Sequence, residues 1–328
     1  MAKKKKKEQL PEGMSRRQAK LAARAAERAA FERDPRPYGG FSFETDLVAV
    51  QEFVPSAIAK IEVEGLDNVY LCTVLPGGSA ALVREESAGG EVFVALQTQA
   101  RSQNPNRDLA YALNWAKTAK PGDILEKGLA DGTEPKLAEL LKDQTLEITE
   151  YSNFDWWLPE DTTVNPMQAQ AIQAANDSVL PSARVEAPVP GTVWWINPGE
   201  KAHIRWVRAE AEDALLRALA RIAARGELKL GEETKFAGAF RTHGLVVPVW
   251  DLDPERAPES YADDLVALNE KIEAELANDA QLTADERKQL ENIKSRQVTI
   301  ANAAPTTKRN ATKDHAVLGG ITAIGRLT

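Results

Sequence analysis

Val193-Trp194-Trp195-Ile196-Asn197-Pro198-Gly199-Glu200-Lys201-Ala202-His203-Ile204-Arg205-Trp206-Val207-Arg208 is the stretch on which the fold turns. β-Branched and aromatic residues fill both ends, and Asn-Pro-Gly-Glu occupies the middle. The stretch therefore reads as two strands joined by a turn, the second, Ala202 to Arg208, returning along the first. The period then changes. From Glu212 to Arg225, Leu215, Leu219 and Ile222 fall on one side of a helix and Arg217, Arg221 and Arg225 on another, with Gly226 as the stop. Leu245 to Leu252 follows as another strand. Hairpins interleaved with amphipathic helices place the chain in the α+β class, with mixed or antiparallel sheets and flanking helices.

Upstream the same ingredients recur. Val69 to Leu75 reads as a buried strand, Pro76-Gly77-Gly78 as a turn, and Ala80 to Arg84 as its return, with Glu91 to Thr98 as a third strand. Asp108 to Thr118 carries Leu109, Ala112, Leu113 and Ala116 at helical spacing, and Pro121-Gly122 stops it. Leu146 to Tyr151 reads as a closing strand. Each half thus holds a turn-linked strand pair, a helix and one further strand. That strand precedes the helix in the first half and follows it in the second, so the pattern leaves an internal duplication open. A helical connector, Met167 to Asn176, separates the halves. Two helices span 260–294, the second opened by the capping box Thr283-Ala284-Asp285-Glu286. The expected organisation is a basic arm at 1–36, a first αβ unit at 37–152, a connector at 153–190, a second unit of similar size with C-terminal helices at 191–300, and a flexible tail at 301–328.

Charge is divided sharply between these parts. The first 36 residues hold twelve Lys or Arg against five Asp or Glu, a net of +7, which leaves −15 on the remainder of a chain whose net charge is −8. Lys3, Lys4, Lys5, Lys6 and Lys7 repel one another and bury nothing, so they are expected to be disordered. Ser15-Arg16-Arg17-Gln18 fits a capping box, and the alanine-rich run after it predicts a basic N-terminal helix. Arg16, Arg17, Lys20, Arg24 and Arg28 make it cationic, while Leu21 and Phe31 are its only large apolar residues. Such a helix has little to bury and is suited to an anionic partner. Asp34-Pro35-Arg36-Pro37 ends it.

Other classes are excluded or left unsupported. A chain of 328 residues can bury a substantial core. Cys72 is the only cysteine, which rules out an internal disulfide or a multi-cysteine zinc cluster. No run approaches the roughly 18 to 20 apolar residues of a membrane span, and no signal-peptide core follows the lysines. The expected location is the cytoplasm.

The runs Gly13-Met14-Ser15-Arg16-Arg17-Gln18-Ala19-Lys20-Leu21-Ala22-Ala23-Arg24, Glu52-Phe53-Val54-Pro55-Ser56-Ala57, Phe154-Asp155-Trp156-Trp157-Leu158-Pro159 and His243-Gly244-Leu245-Val246-Val247-Pro248-Val249-Trp250-Asp251-Leu252, with Lys201 to Arg208, resemble an uncharacterised actinobacterial family of unknown function. The resemblance covers roughly residues 13 to 300. Some members carry automatic names tied to the preprotein translocase motor, but the resemblance implies no reaction. This chain has no G-x-x-x-x-G-K-[S/T] loop to cradle nucleotide phosphates, and its tail beyond residue 300 departs from the family.

Among candidate sites, strand alternation puts Lys201, His203 and Arg205 on one face and Ala202, Ile204 and Trp206 on the other. With Arg208, and with Arg241 and His243 at the same two-residue spacing, these cations are candidates for an anion or phosphate pocket. Against this stands the commoner outcome, a solvated face whose charges pair with nearby carboxylates. Trp156, Trp157, Trp194, Trp195, Trp206 and Trp250 suit core packing better than base stacking, with one of Trp194 and Trp195 expected on the surface. Asp251 and Asp253 resemble a carboxylate pair, but Pro254 points to a strand end, and no metal or cofactor is called for.

No catalytic signature is recognisable. The favoured reading is a non-enzymatic binding or adaptor protein whose arm meets RNA or the ribosome through Lys3 to Lys7 and the five cations of its helix, with a protein partner for the acidic body. The alternative is a small-molecule or phosphate-binding enzyme or sensor built around His203 and Arg205.

Overall fold

A computed structural model describes residues 32–159 and 162–296, and the backbone of 298–299. It divides into Met1–Asp34 and Pro35–Thr328. The expected basic helix and the tail 301–328 lie outside the described residues. Those residues contain seven α-helices and twelve strands arranged as two six-stranded sheets, an α+β architecture.

The first sheet runs β5-β3-β4-β2-β1-β6, from β1 (Ala57–Val63), β2 (Leu66–Cys72), β3 (Ala81–Val83), β4 (Val92–Ala95), β5 (Ile124–Leu125) and β6 (Ile148–Glu150). Helix α1 (Glu44–Glu52) precedes it; α2 (Pro105–Ala116) and the short α3 (Leu137–Leu140) lie between its later strands. Helix α4 (Pro166–Asn176) leads to the second sheet, which runs β12-β10-β11-β9-β8-β7. Its strands are β7 (Ser182–Arg184), β8 (Thr192–Ile196), β9 (Ala202–Val207), β10 (Lys235–Thr242), β11 (Leu245–Leu252) and β12 (Val298–Thr299). Helix α5 (Glu212–Ala224) joins β9 to β10, and α6 (Ala262–Leu276) and α7 (Ala284–Ser295) follow β11.

The hairpin that opens the sequence reading forms as expected: β8 and β9 pair antiparallel with Trp195 opposite Ile204. The expected pairing of β2 with β3 does not form. β3 pairs with β4, and β4 lies parallel to β2, with Leu71 opposite Val94. The reason is burial: all four residues of β4 are buried, so it needs neighbours on both edges, whereas three-residue β3 suffices farther out. Gly77 and Gly78, both at φ +69, carry the chain past that inserted strand. β2 takes β1 as its other partner, with Lys60 opposite Tyr70.

At five of six positions the two sheets share a strand order, the exception being the edge beside β1 and β8, which is taken by the last strand of the first sheet and the first strand of the second; and β2 and β4 are parallel where β9 and β11 are antiparallel. The inserted α5 returns the chain at the opposite end of the second sheet, which reverses the β10–β11 hairpin relative to β3–β4. The difference in helix position noted in the sequence is thus a difference in topology.

Layering follows from strand alternation. One core joins Val69, Leu71, Val92 and Val94 of the first sheet to Leu47, Val48 and Val50 of α1 and to Trp194, Ile196, Val207, Leu245 and Val247 of the second sheet. A second core lies on the far face of the second sheet, where Val193, Ile204, Trp206 and Trp250 meet Leu215 and Leu219 of α5, Leu265 of α6 and Ile293 of α7. The second sheet is therefore covered on both faces. This overturns the expectation for Trp194 and Trp195: they point to opposite faces, yet they are only 0 % and 8 % exposed. The first sheet's outer face is covered more thinly, by Trp156 against Phe93, Cys72 and Leu75.

Candidate functional site

The six cations singled out in the second half do not converge. Lys201, His203 and Arg205 do share the α1-facing side of β9, but each is engaged. Lys201 Nζ and His203 Nδ1 lie 3.0 and 3.2 Å from the two oxygens of Asp251, which stands directly opposite His203 on β11. The Arg205 guanidinium sits over the Phe53 ring at 5.4 Å. Arg208 points to the opposite face. It has no exposed side-chain surface, and it bonds Glu210, Asn269 (2.7 Å) and Glu273 (3.2 Å) while stacking on Trp206 at 4.6 Å. Arg241 turns toward α5 and pairs with Glu212, in a first helical turn where a carboxylate also suits the helix dipole. Asp253 accepts the Glu255 amide in a turn. The arm cations, Lys3 to Lys7, Arg16, Arg17, Lys20, Arg24 and Arg28, lie outside the described residues.

His243 departs from its neighbour for a backbone reason. It and Gly244 form the two-residue connection of β10 and β11, with Thr242 opposite Leu245 and φ values of +48 and +80. Two consecutive positive φ values suit the right-handed twist of a hairpin and break strict alternation. The turn therefore sends His243 to the α1 side although Arg241 faces α5. There, His243 Nε2 lies 2.6 Å from Glu52 Oε1, with side-chain exposures of only 3 % and 5 %.

Around this pair the end of α1 gathers a buried polar cluster. Tyr38 lies 5.6 Å from the His243 ring, and its hydroxyl donates to Gln51 Oε1 at 2.7 Å. Arg101 Nη1 is 4.0 Å from Glu52 Oε1. The Gln97 amide donates to the carbonyls of Val50 and Val54, both at 2.7 Å, supplying donors the end of a helix lacks. On α2, Asp108 accepts the backbone N–H of Ser102 at 2.7 Å and of Ala130 at 2.9 Å. Burial pushes the Asp108 carboxyl above its usual range, and burial likewise raises the Tyr38 phenol. Tyr38, Gln51, Thr98, Arg101 and Asp108 border a cavity of about 20 Å³, enough for a single water.

A buried histidine–carboxylate pair beside an arginine has the parts of an acid–base couple. Its evident physical effect is to tie the second sheet's hairpin to α1. Of this cluster only His243 stands out in the sequence as a candidate; Glu52, Tyr38, Gln51, Arg101 and Asp108 do not. The one signal was positional: Glu52-Phe53 and His243-Gly244 both open runs that carry the family resemblance.

Residues 37–301 match the model of a family described as a family of unknown function, DUF5926. The chain belongs to this family. No curated protein and no solved structure matches it. The DUF5926 match spans both sheets and takes in Tyr38, Glu52, Arg101, Asp108 and His243. Among the described residues of this DUF5926 chain, no helix is long and apolar enough to cross a membrane, and no group of three His, Cys, Asp or Glu is placed to hold a metal ion. Cys72 is buried in β2, where burial raises its thiol pKa and keeps it protonated.

Proposed function

We propose that this protein is a cytoplasmic binding or adaptor protein without catalytic activity, whose basic segment 1–36 engages RNA, free or within the ribosome, and whose acidic body serves a protein partner. The observation that supports this reading is the segregation of charge. The segment carries +7 and the remainder −15. Within the body, Lys201, His203, Arg208, Arg241 and His243 each sit against a carboxylate. A polyanion would therefore meet side chains on that body that are already paired or buried, and repulsion from the net charge, while the lysine block offers contacts without that cost. The alternative, a phosphate or small-molecule site at His203 and Arg205, would have to displace Asp251 and the Phe53 stack.

The test is a salt titration of single-stranded RNA binding by the full chain and by a chain lacking residues 1–36. Counterion release predicts that the logarithm of affinity falls with the logarithm of salt by about 0.7 per phosphate contact. Deletion should abolish binding. Retention of binding by the deleted chain would overturn the reading.

A further inference from the structure

The two sheets differ in how their outer faces are covered. The second buries its outer face under α5, α6 and α7, whereas among the described residues the cluster on the first sheet's outer face includes no α-helical residue. That cluster rests on Cys72, Leu75, Phe93 and Ala95 and is capped only by the turn that carries Trp156. Strand register shows what lies across the rest of the face. Lys60 on β1 stands opposite Tyr70 on β2, Tyr70 opposite Phe93 on β4, Phe93 opposite Leu82 on β3, and Leu82 opposite Ile124 on β5. One row thus crosses five strands and is aromatic or aliphatic on four of them. A sheet face left to water usually turns polar at such positions. Here Tyr70, Leu82 and Ile124 are only half-buried, with Tyr70 stacked on Phe93 at 5.3 Å.

The end of that row carries charge of both signs. Ile61 and Val63 of β1 face the shared core, so Lys60 and Glu62 both point outward on the uncovered face, and both are exposed. A cation and a carboxylate therefore stand two residues apart on one strand. Such a pair is complementary to its own copy run in the opposite direction.

We propose that this face binds a second copy of the chain, sheet against sheet, about a two-fold axis that crosses β1 near Ile61. The axis sets Lys60 of each copy against Glu62 of the other and lays the two apolar rows side by side. Charge selects this occupant. Each copy carries a net −8, so two copies can meet only where repulsion is offset locally, and the alternation of Lys60 and Glu62 does that. An acidic partner would meet Glu62 there, and a basic one would leave Lys60 opposed. Size sets the strength. Five strands about 4.8 Å apart and a seven-residue β1 make a face of roughly 20 by 23 Å, at the low end for specific interfaces, so the dimer is a weak one.

Sedimentation equilibrium of the full chain from about 1 to 200 µM tests this. The expected molar mass rises from 35.9 kDa toward twice that value. Leu82→Glu puts a charge into the apolar row and should weaken association at least about tenfold. Ala267→Glu, which adds the same charge on the exposed side of α6, should leave it unchanged. K60E sets like charges against each other twice per dimer and should also weaken association about tenfold, while the exchange K60E/E62K restores opposite charges and should recover the original affinity to within about threefold. A single 35.9 kDa species throughout, association untouched by L82E or by K60E, or no recovery in K60E/E62K each overturns the proposal. If L82E does not fold, amide chemical shifts of the unaltered chain followed on dilution decide: changes centred on Lys60, Tyr70 and Leu82 support the interface, and changes elsewhere or none overturn it.

Discussion

His243 Nε2 lies 2.6 Å from Glu52 Oε1 across 191 residues of chain, at a place where both side chains are almost wholly shielded from water. The contact joins a hairpin tip of the second sheet to the last residue of α1, so it couples elements on either side of the shared core. Removing one partner leaves the other in a low-dielectric setting without this hydrogen bond, and Arg101 Nη1, 4.0 Å from Glu52 Oε1, is too far away to replace it. E52Q and H243A should each lower unfolding free energy by about 1–3 kcal/mol, and the double variant should lose less than their sum by more than about 0.5 kcal/mol. Urea denaturation of the four proteins checks this. Strict additivity would show that the pair does not act as a unit.

Gly244 is required twice over. Its φ is +80, and a Cβ there would lie 2.3 Å from the Pro35 carbonyl oxygen, a backbone atom that cannot simply rotate away. Gly244→Ala should therefore cost more than backbone strain alone, about 2 kcal/mol or above, and should lower the thermal midpoint by several degrees. A midpoint within a degree of the unaltered protein would contradict the close approach.

Arg208 is held on all sides by Glu210, Asn269, Glu273 and the Trp206 ring. Arg208→Ala leaves carboxylates facing an emptied, buried site and should cost about 3–5 kcal/mol. Arg208→Lys keeps the charge but loses the planar fork and the stack, so it should still be clearly destabilised. Chemical denaturation ranks the variants; a lysine variant as stable as the original would mean that charge alone matters here.

Asp108 supplies a pH dependence with a definite sign. Burial raises its folded-state pKa above the ordinary 3.8, so the folded protein holds this proton more tightly than the unfolded chain does. Its contribution to stability is full below that ordinary value and is lost as pH rises through the folded value. Asp108→Asn cannot ionise. The stability of D108N relative to the unaltered protein should therefore improve between pH 4 and pH 7, as read from paired urea titrations. A relative stability that falls over that range would reverse the assignment.

Much of the local structure was legible because local sequence carries it. β11 occupies Leu245–Leu252 as read, and Thr283 and Glu286 form the expected reciprocal capping box at the start of α7. α5 shows the apolar stripe read from Leu215, Leu219 and Ile222, all now fully buried. β10 went unread because its centre, Ala237-Gly238-Ala239, is small, and Gly238 at φ +145 sits at a bulge that breaks the alternating pattern. β1 has the alternation, with Lys60 and Glu62 exposed between buried Ala59, Ile61 and Val63, and was a missed signal, not an absent one.

By itself, then, the sequence determined the period of most elements, their caps and turns, the single buried thiol, and the division of charge between a +7 segment and a −15 remainder. These depend on residues within one or two turns of each other or on simple sums. Only the tertiary structure decided that β4 enters between β2 and β3, that both faces of the second sheet are covered, and that the six candidate cations are divided between its two sides. The physical reason is the same in each case. Strand neighbours, face burial and ion partners are chosen by competition among surfaces far apart in the chain, and Asp251, Glu212 and Glu52 meet their cations only after those surfaces have closed.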